Sequence, residues 1–264
     1  SVSIEQGSTA LDDVRKFVEM VRPQKGEVIL EIGCGVGAIT ELLLKEGARV
    51  VGIEKDERFI EILKGELADD FKNLTLVCRD ILKVPFHPYV PRGSKLKVVG
   101  NIPYYITSDI LVHLIEQREC IDSAYLTVQR EIANRLLAQP GTKAYGRLSL
   151  LVRFYTEVRR AFDISRNSFL PRPQVDSSVI ELVVHRNLPA IDERLLFELI
   201  KFGFSSRRKN ILNALTEGFH GRLEREGLRE LLRKAAIRGT ARAEELMLKD
   251  FMRLTELVGD LPLR

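Results

Sequence analysis

The sequence predicts an α/β fold: a Rossmann-like, mostly parallel sheet with one antiparallel edge hairpin, followed by a small C-terminal all-helical domain. Three observations carry this. Short apolar runs alternate with amphipathic helix-length segments from residue 28 to residue 138. A glycine-rich turn follows the first of those runs. After Pro189 only helical periodicity remains. The expected domains are residues 1–188 and 189–264.

The elements follow in order. Residues 28–33 form a short apolar run ending in glycine, as a buried parallel strand does. Residues 38–46 carry helical periodicity, and 49–54 read as a second strand. Residues 57–67 read as a helix that Asp56 is placed to cap. Strands are expected at 74–78, 96–100 and 123–128, with helices at 108–117 and 131–138. Residues 147–158 and 177–185 are both strand-like and predict the edge hairpin. In the second domain, 193–202, 209–215, 226–235 and 243–257 predict amphipathic helices.

Composition removes several classes of function. The 264 residues include three cysteines, Cys34, Cys78 and Cys120, with no C-x-x-C pair. Such spacing suggests neither a disulfide framework nor a zinc site. The four histidines are scattered, so no metal is expected. No apolar run approaches the roughly 18 residues that a membrane span needs. Residues 1–13 lack the pattern of a signal peptide, so a cytoplasmic, non-membrane chain is expected. Net charge is only +4, but it is unevenly placed. From Lys143 to Arg172 there are seven basic residues against two acidic ones, and Arg207, Arg208 and Lys209 form a second cluster. Charge of this kind attracts phosphate, although a solvated face reads the same way.

The glycine-rich turn is Glu31-Ile-Gly33-Cys34-Gly35-Val-Gly37, at a strand-to-helix junction where α/β sheets bind ligands. A dinucleotide site usually shows G-x-G-x-x-G. Here the third glycine comes one residue early and an acidic residue sits at the strand end, which resembles motif I of class I methyltransferases. A tight turn without ligand and a dinucleotide site stay open on this motif alone. Glu54 ends the second strand, where a carboxylate can accept from ribose hydroxyls. Asp80-Ile81 follows the third strand, placed for a carboxylate to accept from an adenine amino group with Ile81 against the ring. Cys34 reads as a small packing residue.

The stretch Asn101-Ile102-Pro103-Tyr104 falls at the end of the fourth strand and faces the same crevice. An exocyclic adenine amine is a poor nucleophile, because its lone pair is delocalised into the ring. Two acceptors for its N–H bonds favour a pyramidal nitrogen. Asn101 offers a side-chain carbonyl and Ile102 a backbone carbonyl, held by Pro103, which restricts the local backbone. Tyr104 can stack on a flipped base. Catalysis of this kind is positioning and preorganisation with no covalent enzyme intermediate. The bland alternative is an ordinary Asn-x-Pro-Tyr turn.

Together these residues resemble the small-subunit rRNA adenine N6,N6-dimethyltransferase family, over about residues 26–215. The resemblance includes Gln129-Arg-Glu131-Ile-Ala133 and Gly141-Thr-Lys143-Ala-Tyr145-Gly146-Arg147-Leu148-Ser149. It continues in Phe169-Leu-Pro171-Arg-Pro173-Gln-Val175-Asp-Ser177 and Ser206-Arg207-Arg208-Lys209. It implies a class I methyltransferase sheet and an S-adenosyl-L-methionine cofactor, with Glu31, Gly33, Gly35, Gly37, Glu54, Asp80, Ile81 and Asn101 about it. It implies N6,N6-dimethylation of two adjacent adenosines in a hairpin loop near the 3′ end of small-subunit rRNA. Asn101, Ile102, Pro103, Tyr104 and Phe169 would surround the target base. Lys143, Arg147, Arg172, Arg207, Arg208 and Lys209 would contact RNA, on a monomer that acts on the immature small subunit. The family usually opens with a Gly-Gln-x-Phe-Leu-x-Asp segment over the cofactor. Here the corresponding region, Glu5 to Asp13, lacks the aromatic, and no cofactor role is carried onto it. The alternatives are an Erm-type enzyme acting on large-subunit rRNA, and a largely non-catalytic assembly or nucleic-acid-binding factor of the same fold.

Overall fold

The computed structural model describes residues 3–4, 8–67, 72–170 and 174–260. The chain forms two compact units, one of Ser1–Ala133 with Tyr155–His185, the other of Asn134–Phe154 with Arg186–Arg264. The segment Asn134–Phe154, placed by sequence in the first domain, groups with the C-terminal helices.

The first unit opens with a two-residue strand, β1 (Ser3–Ile4), and helix α1 (Ser8–Val21). Then come β2 (Val28–Ile32), α2 (Ala38–Lys45), β3 (Arg49–Glu54), α3 (Glu57–Glu66) and β4 (Leu74–Cys78). β5 (Leu96–Asn101), α4 (Thr107–Glu116) and β6 (Ile121–Gln129) complete the parallel part, and α5 (Arg130–Leu137) follows. After α6 (Arg147–Tyr155) come β7 (Thr156–Ile164), β8 (Phe169–Leu170) and β9 (Ser177–Val184). The main sheet has seven strands in the order β4-β3-β2-β5-β6-β9-β7. Its first five are mutually parallel, and β9 runs antiparallel to both β6 and β7. β1 and β8 pair separately, with Ile4 opposite Phe169.

Register places the site. Ile32 lies opposite both Ile53 and Gly100, and Glu54 lies opposite Cys78. The residues that follow these positions therefore emerge along one edge of the sheet, at the carboxyl ends of its parallel strands. The order reverses at β2, flanked by β3 and β5, which is where ligands bind in this architecture.

Helix α1 is not among the elements expected from sequence. Its Val14, Phe17, Val18 and Val21 recur at helical spacing and are buried with Ile29, Leu43, Val50 and Val99 in one core. Burial of a side chain such as Phe17 contributes about 2–3 kcal/mol.

The strand expected from residue 147 is instead the helix α6 as far as Tyr155, with β7 starting at Thr156. Leu148, Leu150, Val152 and Phe154 alternate with other residues, which imitates a strand. What holds the helix is tertiary. The Ser149 hydroxyl donates to the Arg135 carbonyl (2.6 Å), and the Arg153 guanidinium donates to the carbonyls of Leu136 (3.1 Å) and Ala138 (2.6 Å). These bonds satisfy carbonyls at the end of α5 that have no partner within that helix.

In the second unit α7 (Glu193–Gly203), α8 (Ile211–Gly218), α9 (Arg225–Lys234) and α10 (Leu248–Gly259) enclose a core that includes Leu199, Leu215, Phe219, Leu232, Phe251 and Leu254. Asp192 and Asn210 cap the first two of these helices with their side chains. Arg222 stacks over the Phe219 ring at 4.8 Å and pairs with Glu198 at 2.9 Å. No described helix is long and apolar enough to cross a membrane.

Candidate active site

A cavity of about 500 Å³ opens at the carboxyl ends of β2, β3, β4 and β5. That size is within the usual range for small-molecule sites. Its lining includes Glu31, Gly33, Gly35, Glu54, Asp80, Ile81 and Asn101. With Pro103, eight of the sequence-predicted positions thus meet in one place, although they come from four strand ends.

The glycine turn is shaped by its backbone. Gly33, Gly35 and Gly37 all have positive φ (72°, 52° and 86°), a region that side chains with a Cβ disfavour. Gly37 caps α2 and does not line the cavity; a Cβ there would lie 2.5 Å from the Leu63 side chain. Glycine is favoured there by its positive φ, and the Leu63 methyl would have to shift for a larger residue.

Glu54 is buried and accepts three backbone N–H bonds. Oε2 takes Gly35 (3.0 Å), while Oε1 takes Lys55 (2.8 Å) and Asp56 (3.0 Å). A carboxylate offers about four acceptor sites. One open site therefore remains at Oε2 for a ribose hydroxyl, and a second hydroxyl must compete with a backbone N–H.

Glu31 is 1% exposed and accepts from the Thr40 hydroxyl at 2.6 Å. Burial, with Glu54 nearby, pushes its carboxyl up to about 7 against the opposing hydrogen bonds from Thr40 and Cys34. Burial also pushes the Cys34 thiol well up, so Cys34 is not a thiolate. Its sulfur fills the space that a Cβ on Gly52 would take, which fits a packing role.

Asp80 caps a short turn by accepting from Leu82 N–H (3.1 Å) through Oδ1, and its Oδ2 lies 3.6 Å from Lys55 Nζ. Ile81 is buried against the same wall.

The hydrogen bonding of the glycine turn bears on the cofactor class. Gly35 N–H, which would face a pyrophosphate, is already bonded to the Glu54 carboxylate. Such a lining disfavours a dianionic bridge and suits a ligand with a cationic centre, as S-adenosyl-L-methionine has in its sulfonium.

The Asn-Ile-Pro-Tyr turn faces this cavity through Asn101 and Pro103. Ile102 turns its side chain into the core (1% exposed) and donates its N–H to the Thr127 carbonyl at 3.0 Å. Pro103 accepts from Ile106 N–H and from the Thr107 hydroxyl, which closes the turn. Ile102 and Tyr104 do not line the cavity. The Tyr104 hydroxyl is instead 2.8 Å from Ser177 Oγ on β9, so the ring is anchored at both ends. Phe169 sits in β8 with its backbone opposite Ile4; its side chain lies outside the described residues. Arg172 also lies outside them.

Several cavity residues were given no site role by sequence: Val36, Lys55, Asp56, Arg79 and Tyr105. Four of them neighbour a predicted residue, so extending each strand-end motif by one or two positions would have found them.

The basic stretch is less uniform than its composition suggests. Arg153 is held by carbonyls, Arg159 pairs with Glu157 and Glu181, and Arg160 lies 3.9 Å from Asp163. Lys143 and Arg147 are exposed, as are Arg207, Arg208 and Lys209 in the turn before α8. Lys209 pairs with Glu217. Among the described residues no group of three or more His, Cys, Asp or Glu could hold a metal ion.

Comparison with known proteins agrees with this geometry. The sequence pattern of the family described as ribosomal RNA adenine dimethylase matches residues 13–259. The ribosomal RNA small subunit methyltransferase A of Streptococcus gordonii is 40% identical over 252 residues, covering 92% of this chain and 86% of that protein. Among solved structures, a dimethyladenosine transferase from Plasmodium falciparum superposes with a TM-score of 0.78 at 25% identity, covering 96% of this chain and 95% of that one. The 23S rRNA methyltransferase ErmE superposes at 0.72 with 23% identity, covering 98% and 100%.

Proposed function

The chain belongs to the ribosomal RNA adenine dimethylase family, and on that premise we propose how its residues perform N6,N6-dimethylation and on which RNA segment. It is an S-adenosyl-L-methionine-dependent methyltransferase acting on adenine of small-subunit rRNA. Its likeness to ErmE is one of fold, at 23% identity. The target we propose is the pair of adjacent adenosines in a hairpin loop near the 3′ end, presented on the immature small subunit to a cytoplasmic monomer.

One observation carries the residue assignment: Asn101 lines the same cavity as Glu31, Gly33, Gly35, Glu54, Asp80 and Ile81. The cofactor supplies an electrophilic methyl group on a sulfonium. Glu54 holds ribose hydroxyl, Asp80 accepts from the adenine amine of the cofactor, and Ile81 packs on that ring. Gly33 and Gly35 let the ligand approach the backbone, while Gly37 sets the turn and Glu31 orders it through Thr40. The Asn101 side-chain carbonyl and the Ile102 backbone carbonyl accept the two N–H bonds of the target amine. Pro103 keeps that pair fixed, and Tyr104 and Phe169 stack on the extruded base. Extrusion costs a few kcal/mol in a duplex and less in a loop, which favours a loop substrate.

We assign catalysis to residues 1–188 and an RNA-holding role to 189–264. Arg207, Arg208 and Lys209, with Lys143 and Arg147, meet phosphates; Arg172 joins them by its place in the sequence. Exposure of the described five supports this. The test is tritiated methyl transfer to unmethylated 30S particles beside 23S RNA, with the modified nucleotides mapped. Dimethyl label on two adjacent 16S adenosines is expected. Label confined to 23S RNA would overturn the assignment.

A further inference from the structure

We propose that Tyr105 is a substrate-positioning residue, on whose ring the RNA base adjacent to the reacting adenine stacks; this rests on the RNA substrate proposed above. Tyr105 is 82% exposed, an extreme value for an aromatic side chain of a folded chain. Among the described large apolar side chains that are exposed, only Tyr105 and Val36 also line the cavity. An aromatic face left in water beside a reaction site is the kind of surface that bases use for stacking.

Local structure makes this ring a fixed platform. Tyr104, Tyr105 and Ile106 form a single 3-10 turn. The turn is tied at its start by Tyr104 to Ser177, and within by Ile106 N–H to the Pro103 carbonyl. Thr107 adds its hydroxyl to Pro103. With Tyr104 anchored, the next side chain projects from a turn that cannot swing freely. The reaction treats two neighbouring adenines, so when one enters the pocket the other lies next to this turn.

The chain contains no tryptophan, so Tyr105→Trp introduces a single tryptophan at this point, excited selectively over the remaining tyrosines. Its emission is expected to be quenched by an RNA hairpin carrying two adjacent loop adenines. S-adenosylhomocysteine alone should not quench it, and an abasic neighbour in the hairpin should abolish the effect. In methyl transfer to unmethylated small subunits, Tyr105→Ala should raise KM for the subunit on the order of tenfold. Its kcat and cofactor affinity should stay as in the wild type, and Tyr105→Phe should behave as wild type, because stacking needs no hydroxyl. Hairpin binding, followed by anisotropy, with unchanged tryptophan emission would overturn the proposal. A loss of cofactor affinity in place of subunit affinity would also overturn it, by showing that the ring covers the cofactor. Failure of the wild-type chain to methylate unmethylated small subunits would overturn the underlying substrate reading and this inference with it.

Discussion

The Gly35 backbone N–H donates to Glu54 Oε2 over 3.0 Å, which ties the glycine turn after β2 to the end of β3. The carboxylate thus shapes the turn as well as facing the cavity.

Replacing Glu54 with Ala removes a ribose acceptor and leaves three N–H groups without their partner. Hydrogen bonds to charged groups are worth about 1.5–3 kcal/mol, so cofactor affinity should fall roughly tenfold to a hundredfold. Isothermal calorimetry reads this directly. Unchanged binding would show that no ribose is held there.

Glu31 supplies a pH dependence whose sign is fixed. Its folded carboxyl is raised from 4.5 to about 7, chiefly by burial. The folded chain therefore holds a proton that the unfolded chain releases between those values. This contribution to stability is fully present below about 4.5 and is lost as pH rises through about 7. Glu31→Gln keeps an acceptor for Thr40 and cannot ionise. The wild-type Tm should decline relative to the variant across that window, and the variant should be the more stable at pH 8. Parallel Tm profiles would contradict the assignment.

Gly37→Ala tests the turn itself. A Cβ at φ 86° is strained and would lie 2.5 Å from Leu63 Cδ2. Left-handed strain costs about 1–2 kcal/mol and overpacking about 1–3. Chemical denaturation should register a loss of this order. A companion Leu63→Ala change should recover part of it, since it relieves the overlap and leaves the dihedral strain.

Much of the site was legible because each chemical group follows a buried strand. Val28 to Ile32 announces β2 by its apolar run, and Gly33, Glu54, Asp80 and Asn101 each sit at or just after a strand end. The strand-like alternation of Leu148, Leu150, Val152 and Phe154 misled, because α6 depends on Ser149 and Arg153 meeting carbonyls of α5. No periodicity encodes that partner. Helix α1 was missed, although Val14, Phe17, Val18 and Val21 recur at the spacing of a helix face. The partners of Arg153, Arg159 and Arg160 were hidden for another reason: charge counts do not show which cations already face carbonyls or carboxylates.

Arg207, Arg208 and Lys209 are exposed, and the turn before α8 presents them together. Neutralising all three should weaken RNA association. If each meets a phosphate, the slope of log affinity against log salt should flatten by about 2. Titrations at several salt concentrations check this. An unchanged slope would leave the cluster as a solvated surface.

Methyl transfer depends on a carbonyl grip at the strand end, and single-turnover kinetics of Asn101→Ala measure that grip. The variant should keep most of its cofactor affinity, while the chemical step slows on the order of a hundredfold or more. A variant that transfers methyl groups at the wild-type rate would contradict it.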